Sequence, residues 1–382
     1  MIIDQEKEVL NNANNPKDII SNKESKKIPE IFSYMGKNKN KIALFIIVIF
    51  IYIIFILPFK YTNFFKSKKG IILYELNKLD NLWNNNRSNI TTIENNRKFD
   101  YENRTFAILK RENCPICGLF SYYSIHLGCI LEYLGKGYIP IIEVDSFANV
   151  FNAFNKNLSK DKSLWEMLFN QPFNYTLNEV KKNAKNIKFF ICSCNNMAPS
   201  EIEVYSSELT LKFYRESAKK YMSVKKQIMD KVNILWGKLF NNSNNVLGIL
   251  ARGTDYTSIK PCGHSKSPPV EKMIKDAKKM DKQNSYDWIY LATEDDKIRE
   301  KFIQEFGQKL KILQNKSIKY ENSYLGLNKN VHGMEFQELY LKSMIILSKC
   351  LDIIVARCNG AMGAFVLSKG FRNSLVYFIG QY

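Results

Sequence analysis

Cysteine is scarce in this chain: eight residues among 382, at positions 114, 117, 129, 192, 194, 262, 350 and 358. So few, spread so widely, exclude a disulfide scaffold. Cys114-Pro115-Ile116-Cys117 and Cys192-Ser193-Cys194 together hold four thiols, but the second spacing is tighter than usual zinc pairs. Free thiols or a disulfide are therefore expected, and a metal centre is not. Acidic residues are also in short supply, 37 against 56 basic ones, for a net charge of +19. That balance favours acidic ligands, anionic lipid or nucleic acid. The lysines are scattered rather than gathered into a block, and no nucleic-acid motif accompanies them, so no nucleic-acid partner is expected. Apolar character is not lacking. At 45% hydrophobic residues a chain of this length can fill the cores of two ordinary domains, which excludes a disordered protein.

Residues 1–41 are polar, rich in Lys, Asn and Glu, and without hydrophobic periodicity; they read as a flexible tail. Residues 42–59, IALFIIVIFIYIIFILPF, then pass without a charge. As a helix this stretch spans roughly 27 Å, close to the ~30 Å hydrocarbon core of a bilayer. It starts far from the N-terminus and has no small-residue cleavage site, so an uncleaved signal-anchor is expected, with the lipid bilayer as partner. Lys23, Lys26, Lys27, Lys37, Lys39 and Lys41 precede the span, and Lys60, Lys66, Lys68, Lys69 and Lys78 follow it. This lysine bias leans only slightly toward a cytoplasmic N-terminus. A lumenal, Golgi-type body and a bacterial inner-membrane orientation both remain open. Sequons at Asn86, Asn89, Asn103, Asn157, Asn174, Asn241 and Asn315 permit a glycoprotein.

After a stem over 60–103, apolar strands alternate with helical patterns. Thr105 to Leu109, a Gly-bearing loop, a helix from Ser121 to Leu134 and a strand from Ile139 to Val144 form a βαβ unit, the start of a parallel sheet. The strand Ile187 to Cys192 follows. Apolar residues from Tyr214 through Ile228 to Leu239, spaced by three, four and seven, predict one long amphipathic helix bridging two domains over 206–240. The alternation then repeats in 241–382: strands Val246 to Leu250, Asp287 to Ala292, Leu351 to Val355 and Leu375 to Ile379, with a helix opened by Ser267-Pro268. The fold class is α/β, with an N-terminal domain over 104–205.

Chemistry concentrates in Val246 to Pro269, VLGILARGTDYTSIKPCGHSKSPP. The strand ends at Arg252-Gly253-Thr254-Asp255, and open α/β sheets bind ligands beyond the carboxyl ends of their strands. Arg252 offers a planar fork able to grip two phosphate oxygens, and Gly253 allows close backbone approach. A purely structural Arg–Asp pair would use the same residues. Thr293-Glu294-Asp295 ends the next strand at the same crevice. Asn359-Gly360-Ala361 opens a helix there whose N–H groups suit a phosphate. Gly118, in the first βα loop, marks the corresponding place in the N-terminal domain.

Three segments, Leu247 to Tyr256 with its RGTDY, Lys260-Pro261 with Gly263-His264, and Tyr290-Leu291-Ala292-Thr293-Glu294-Asp295, resemble the nucleotide-binding half of fucosyltransferase-like glycosyltransferases. The likeness is to a bacterial-type branch tied to surface polysaccharide synthesis and covers roughly residues 105–382. It implies a GT-B fold, two Rossmann-like domains facing a cleft, with 104–205 on the acceptor side and 241–382 binding the nucleotide sugar. It also implies an inverting, metal-independent transfer from GDP-fucose to a glycan or glycolipid, with no cofactor beyond the GDP-sugar co-substrate. Arg252 would contact the donor pyrophosphate and act in catalysis. Gly253, Thr254, His264, Thr293, Glu294, Asp295, Asn359, Gly360 and Ala361 would complete the donor site, although Asn359-Gly360 departs from the commoner Ser-bearing motif. Gly118 and Glu143 are the acceptor-side candidates. The base for the acceptor hydroxyl could be Asp255, Glu143 or Glu294. A catalytically inactive glycan-binding or scaffold protein of the same fold is the competing reading.

Overall fold

The computed structural model describes residues 97–111, 117–144, 163–193, 196–198, 204–205, 207–253, 260, 265–313 and 333–382, all within one compact unit, Ser88–Tyr382. The polar tail, the apolar run 42–59 and most of the stem lie outside the described residues. Among the described residues no helix is long and apolar enough to cross a membrane.

The N-terminal half runs α1 (Arg97–Asn103), β1 (Thr105–Arg111), α2 (Leu119–Gly135), β2 (Ile139–Glu143), α3 (Leu164–Leu168), α4 (Leu177–Asn183) and β3 (Asn186–Cys192). The strands form a parallel sheet in the order β2-β1-β3. Alternation along β1 divides its side chains between two layers. Phe106 and Ile108 pack with Tyr101, Tyr175 and Val180, while Ala107 and Leu109 pack beneath α2. Although sequence places 97–103 in the stem, α1 belongs to the body: Tyr101 stacks on Phe106, and buried Asp100 accepts a 2.6 Å hydrogen bond from Tyr175 Oη.

The single bridging helix expected over 206–240 is in fact two, α5 (Glu208–Tyr221) and α6 (Lys226–Phe240). The break has a competing partner. Val224 forms an antiparallel bridge with Phe169, Asn170 N donates to Ser223 O at 2.8 Å, and Lys225 N donates to Leu168 O at 2.9 Å. These long-range bonds replace the intrahelical ones at that point. The apolar stripe survives on both sides of it, with Tyr214, Ile228 and Val232 all buried.

The C-terminal half runs β4 (Val246–Leu250), α7 (Val270–Asn284), β5 (Trp288–Ala292), α8 (Asp296–Phe306), β6 (Leu310–Ile312), α9 (Met334–Ser348), β7 (Asp352–Ala356), α10 (Asn359–Leu367) and β8 (Asn373–Tyr377). Its parallel sheet is ordered β6-β5-β4-β7-β8. One face packs on α9, α10 and α6 through Leu250, Tyr290 and Val355; the other packs on α7 and α8 through Ile249, Leu291 and Ile354. The edge strand β6, too short for its periodicity to show, is absent from the sequence reading. Ser267 does not cap α7, which starts at Val270 with Pro269 at its N-cap and no side-chain cap bond.

At the amino end of β7, fully buried Asp352 accepts hydrogen bonds from Tyr286 Oη, from Arg372 Nη2 at 2.5 Å and from Asn373 N at 2.7 Å. Burial works to raise its pKa, but these bonds outweigh it and hold the carboxyl below the ordinary aspartate value. That end of the sheet is fastened for stability, which leaves the carboxyl end for ligands.

Cys129 of α2 and Cys192 of β3 form a disulfide with Cα atoms 6.3 Å apart, and Cys117 is also disulfide-bonded. Cys350 and Cys358 are buried and take part in no disulfide. Cys192, one of the four thiols considered for zinc, is here bonded to Cys129.

Candidate functional site

The carboxyl edge of the C-terminal sheet is where the motif residues meet. Leu250 pairs with Ala292 of β5 and with Val355 of β7. The ladder runs on past β4, since Ala251 N donates to Ala292 O at 3.0 Å. Two residues past each pairing point, Arg252 stands level with Glu294. Arg252 Nε donates to Glu294 Oε1 at 3.0 Å, and Gly253 N donates to the same oxygen at 3.3 Å. Their side chains keep only 14% and 16% of their exposure, so the pair is a partly desolvated, oriented unit rather than a loose surface contact.

The rest of the Thr293-Glu294-Asp295 motif builds the turn into α8. Thr293 Oγ1 accepts from Asp295 N at 3.2 Å, and Asp295 Oδ1 accepts from Lys297 N at 2.9 Å and Ile298 N at 3.1 Å, making Asp295 the N-cap of α8. Of the three, Glu294 reaches across to Arg252. Thr254, Asp255 and His264 lie outside the described residues.

Asn359, Gly360 and Ala361 form the first turn of α10, capped by Cys358, whose Sγ accepts from Ala361 N at 3.4 Å. The helix N-terminus thus arrives at the same edge, one strand away from Arg252. Gly360 owes its missing side chain to packing: a Cβ there would stand 2.5 Å from Tyr340 Oη. Further along, a Cβ at Gly363 would lie 2.6 Å from Phe120 Cγ of α2, so the early turns of the two strand-following helices meet across the halves.

On the N-terminal side, Gly118 is the N-cap of α2, and a Cβ there would meet nothing within 4 Å. Glu143 ends β2. It is 3% exposed and held by Lys110 Nζ at 3.1 Å and Lys181 Nζ at 2.5 Å, an arrangement dictated by the register of Lys110 opposite Glu143. Among the described residues no cluster of three or more metal-ligating side chains occurs.

One residue at the edge carries no motif and escapes sequence reading. Arg357 lies two residues past Val355, as Arg252 lies two past Leu250, so the β4–β7 register sets the two arginines side by side. Its guanidinium stacks over Phe378, 4.1 Å from the ring centroid, and faces Tyr205 at 5.6 Å. The signal available in sequence was its place immediately before Cys358-Asn359, at the end of a predicted strand.

No protein-family model matches the chain, and no curated protein matches it. Among solved structures it is similar to the fucosyltransferase NodZ from Bradyrhizobium, at 13% identity over 69% of this chain and 94% of that one, with a TM-score of 0.41. It is also similar to POFUT1 in complex with GDP, at 9% identity over 72% of this chain and 99% of that one, with a TM-score of 0.42. A mutant of FUT1 from Arabidopsis thaliana in complex with GDP is similar at 10% identity over 78% of each chain, with a TM-score of 0.41.

Proposed function

We propose that this chain is a membrane-anchored, fucosyltransferase-like glycosyltransferase of GT-B architecture. It would transfer a sugar, foremost fucose from GDP-fucose, to a glycan or glycolipid acceptor. The observation that carries the reading is the Arg252–Glu294 pair at the carboxyl ends of β4 and β5, with the N-terminus of α10 one strand away. Parallel α/β sheets take their ligands at that edge.

In such a transfer the bond between the sugar C1 and the diphosphate oxygen breaks, and its electron pair leaves with GDP. The acceptor oxygen bonds to C1 from the opposite face and gives its proton to a base. Arg252, oriented by Glu294, and the backbone N–H groups opening α10 are suited to the negative charge that develops on the diphosphate. Of the three carboxylates considered for the base, Glu143 is held by two lysines and Glu294 by Arg252. Asp255, three residues beyond Arg252, is the one we assign.

The anchor is residues 42–59. The Cys129–Cys192 disulfide supports placing the body on the oxidising, lumenal side, because such bonds are rare in reducing cytosol. The test is to incubate the full chain in detergent micelles with GDP-fucose, without added metal, and follow GDP release with and without glycan acceptors. Turnover that disappears in Arg252→Ala supports the proposal. Tight GDP-fucose binding without turnover under any acceptor would favour the inactive glycan-binding reading.

A further inference from the structure

The two parallel pairings on either side of β4–β7 place four side chains in one row. Leu250 faces Ala292, Leu250 faces Val355, and Ala356 faces Tyr377. Continued to the carboxyl edge, these registers align Glu294, Arg252, Arg357 and Phe378 across β5, β4, β7 and β8. Two contacts confirm the alignment: the 3.0 Å ion pair at one end and the 4.1 Å cation–π stack at the other. Neighbouring strands lie about 4.8 Å apart, so two guanidinium groups emerge side by side at the start of the ligand crevice.

Their surroundings differ. Arg252 has a carboxylate partner in Glu294. Arg357 has none among the described residues: its contacts are the faces of Phe378 and Tyr205, and its Nε is buried without a hydrogen-bond partner. Stacking holds a planar guanidinium in place while leaving its N–H fork unused. An arginine fork takes phosphate oxygens in pairs. Cys358 and the first turn of α10 follow Arg357 directly, adding backbone dipole of the same sign.

We infer that Arg357 is a second phosphate-gripping arginine which, beside Arg252, makes this edge selective for a diphosphate over a monophosphate. The inference rests on the nucleotide-sugar reading of the site and names the group that would read the length of the phosphate chain. Arg252 alone can hold one phosphate. The pair spans two.

The test is calorimetric titration of the full chain in detergent micelles with GDP against GMP and with UDP against UMP, in wild type, Arg357→Gln, Arg357→Lys and Arg252→Ala. Wild type should prefer the diphosphate of whichever nucleoside it binds. Arg357→Gln should weaken that diphosphate by about tenfold to a hundredfold, the range of one charge-assisted contact, and leave the monophosphate nearly unchanged. Its diphosphate-to-monophosphate preference should collapse toward unity. Arg357→Lys, which keeps the charge but loses the fork, should fall between. The Arg357 side chain has no hydrogen bond or ion pair among the described residues, so both variants should stay folded, with a melting temperature lowered only by the lost stacking on Phe378 and Tyr205, and a loss of preference in a folded variant cannot be put down to unfolding. If Arg357→Gln kept the full preference while Arg252→Ala abolished binding, the inference would fall and the site reading would stand. A wild type that bound neither diphosphate would take both down.

Discussion

Gly253 lies so close to Asp295 that a Cβ on it would stand 2.7 Å from both Cβ and Cγ of that aspartate. The contact joins the end of β4 to the N-cap of α8, and it explains the glycine in the Arg-Gly-Thr-Asp stretch without appeal to a ligand. Replacing Gly253 with alanine must push Asp295 from its cap or move Arg252 away from Glu294. The expected cost is about 1–3 kcal/mol of stability, the range for forcing extra atoms into a packed site. Urea denaturation of the full chain measures it, and an unchanged midpoint would contradict the packing described.

A second prediction concerns pH. His126 of α2 is fully buried; its Nδ1 contacts Tyr122 O at 2.8 Å, while Nε2 has no partner. Burial pushes its pKa down from the ordinary 6.5 to about 4, against the upward pull of the Tyr122 carbonyl. Between those values the unfolded chain binds the proton and the folded one does not. Stability is therefore whole above about pH 6.5 and drains as pH falls toward 4, by roughly 3 kcal/mol in total at 1.36 kcal/mol per unit. Unfolding free energy followed over that range should decline more steeply in wild type than in His126→Gln. Parallel curves would show that His126 does not carry the effect.

The Cys129–Cys192 disulfide closes a sequence separation of 63 residues between two buried positions. On chain-entropy grounds its removal in a Cys129→Ala/Cys192→Ala double variant should cost about 4 kcal/mol. The same loss should follow expression in a reducing compartment. A double variant as stable as wild type would remove the support this bond gives to a lumenal body.

Much of the fold was legible because its signals are local. The strands β1, β2, β3, β4 and β5 are apolar runs of the right length, and α2 fills the helical place between β1 and β2. Where the sequence misled, the deciding contact was distant. The helix expected to run unbroken through Ser223 and Val224 is interrupted by backbone partners near residue 169, more than fifty positions earlier. The candidate site divides in the same way. Arg252 and Glu294 could be named from their motifs, and register then brought them together. Arg357 could not, because its meaning comes from parallel pairing with a strand over a hundred residues away and from Phe378 beyond it. The setting of Glu143 was hidden for a similar reason: nothing in the local sequence shows Lys110 and Lys181 converging on it.

The central claim is that Arg252, held by Glu294, anchors a nucleotide diphosphate at the carboxyl edge of β4. The most direct measurement is calorimetric binding of GDP and GDP-fucose, without metal, to the full chain in detergent micelles, comparing wild type with Arg252→Ala. Removing a charge-assisted grip costs about 1.5–3 kcal/mol, so the variant should bind GDP some tenfold to a hundredfold more weakly while remaining folded. A wild type that binds GDP with an affinity the Arg252→Ala change leaves untouched would contradict the account.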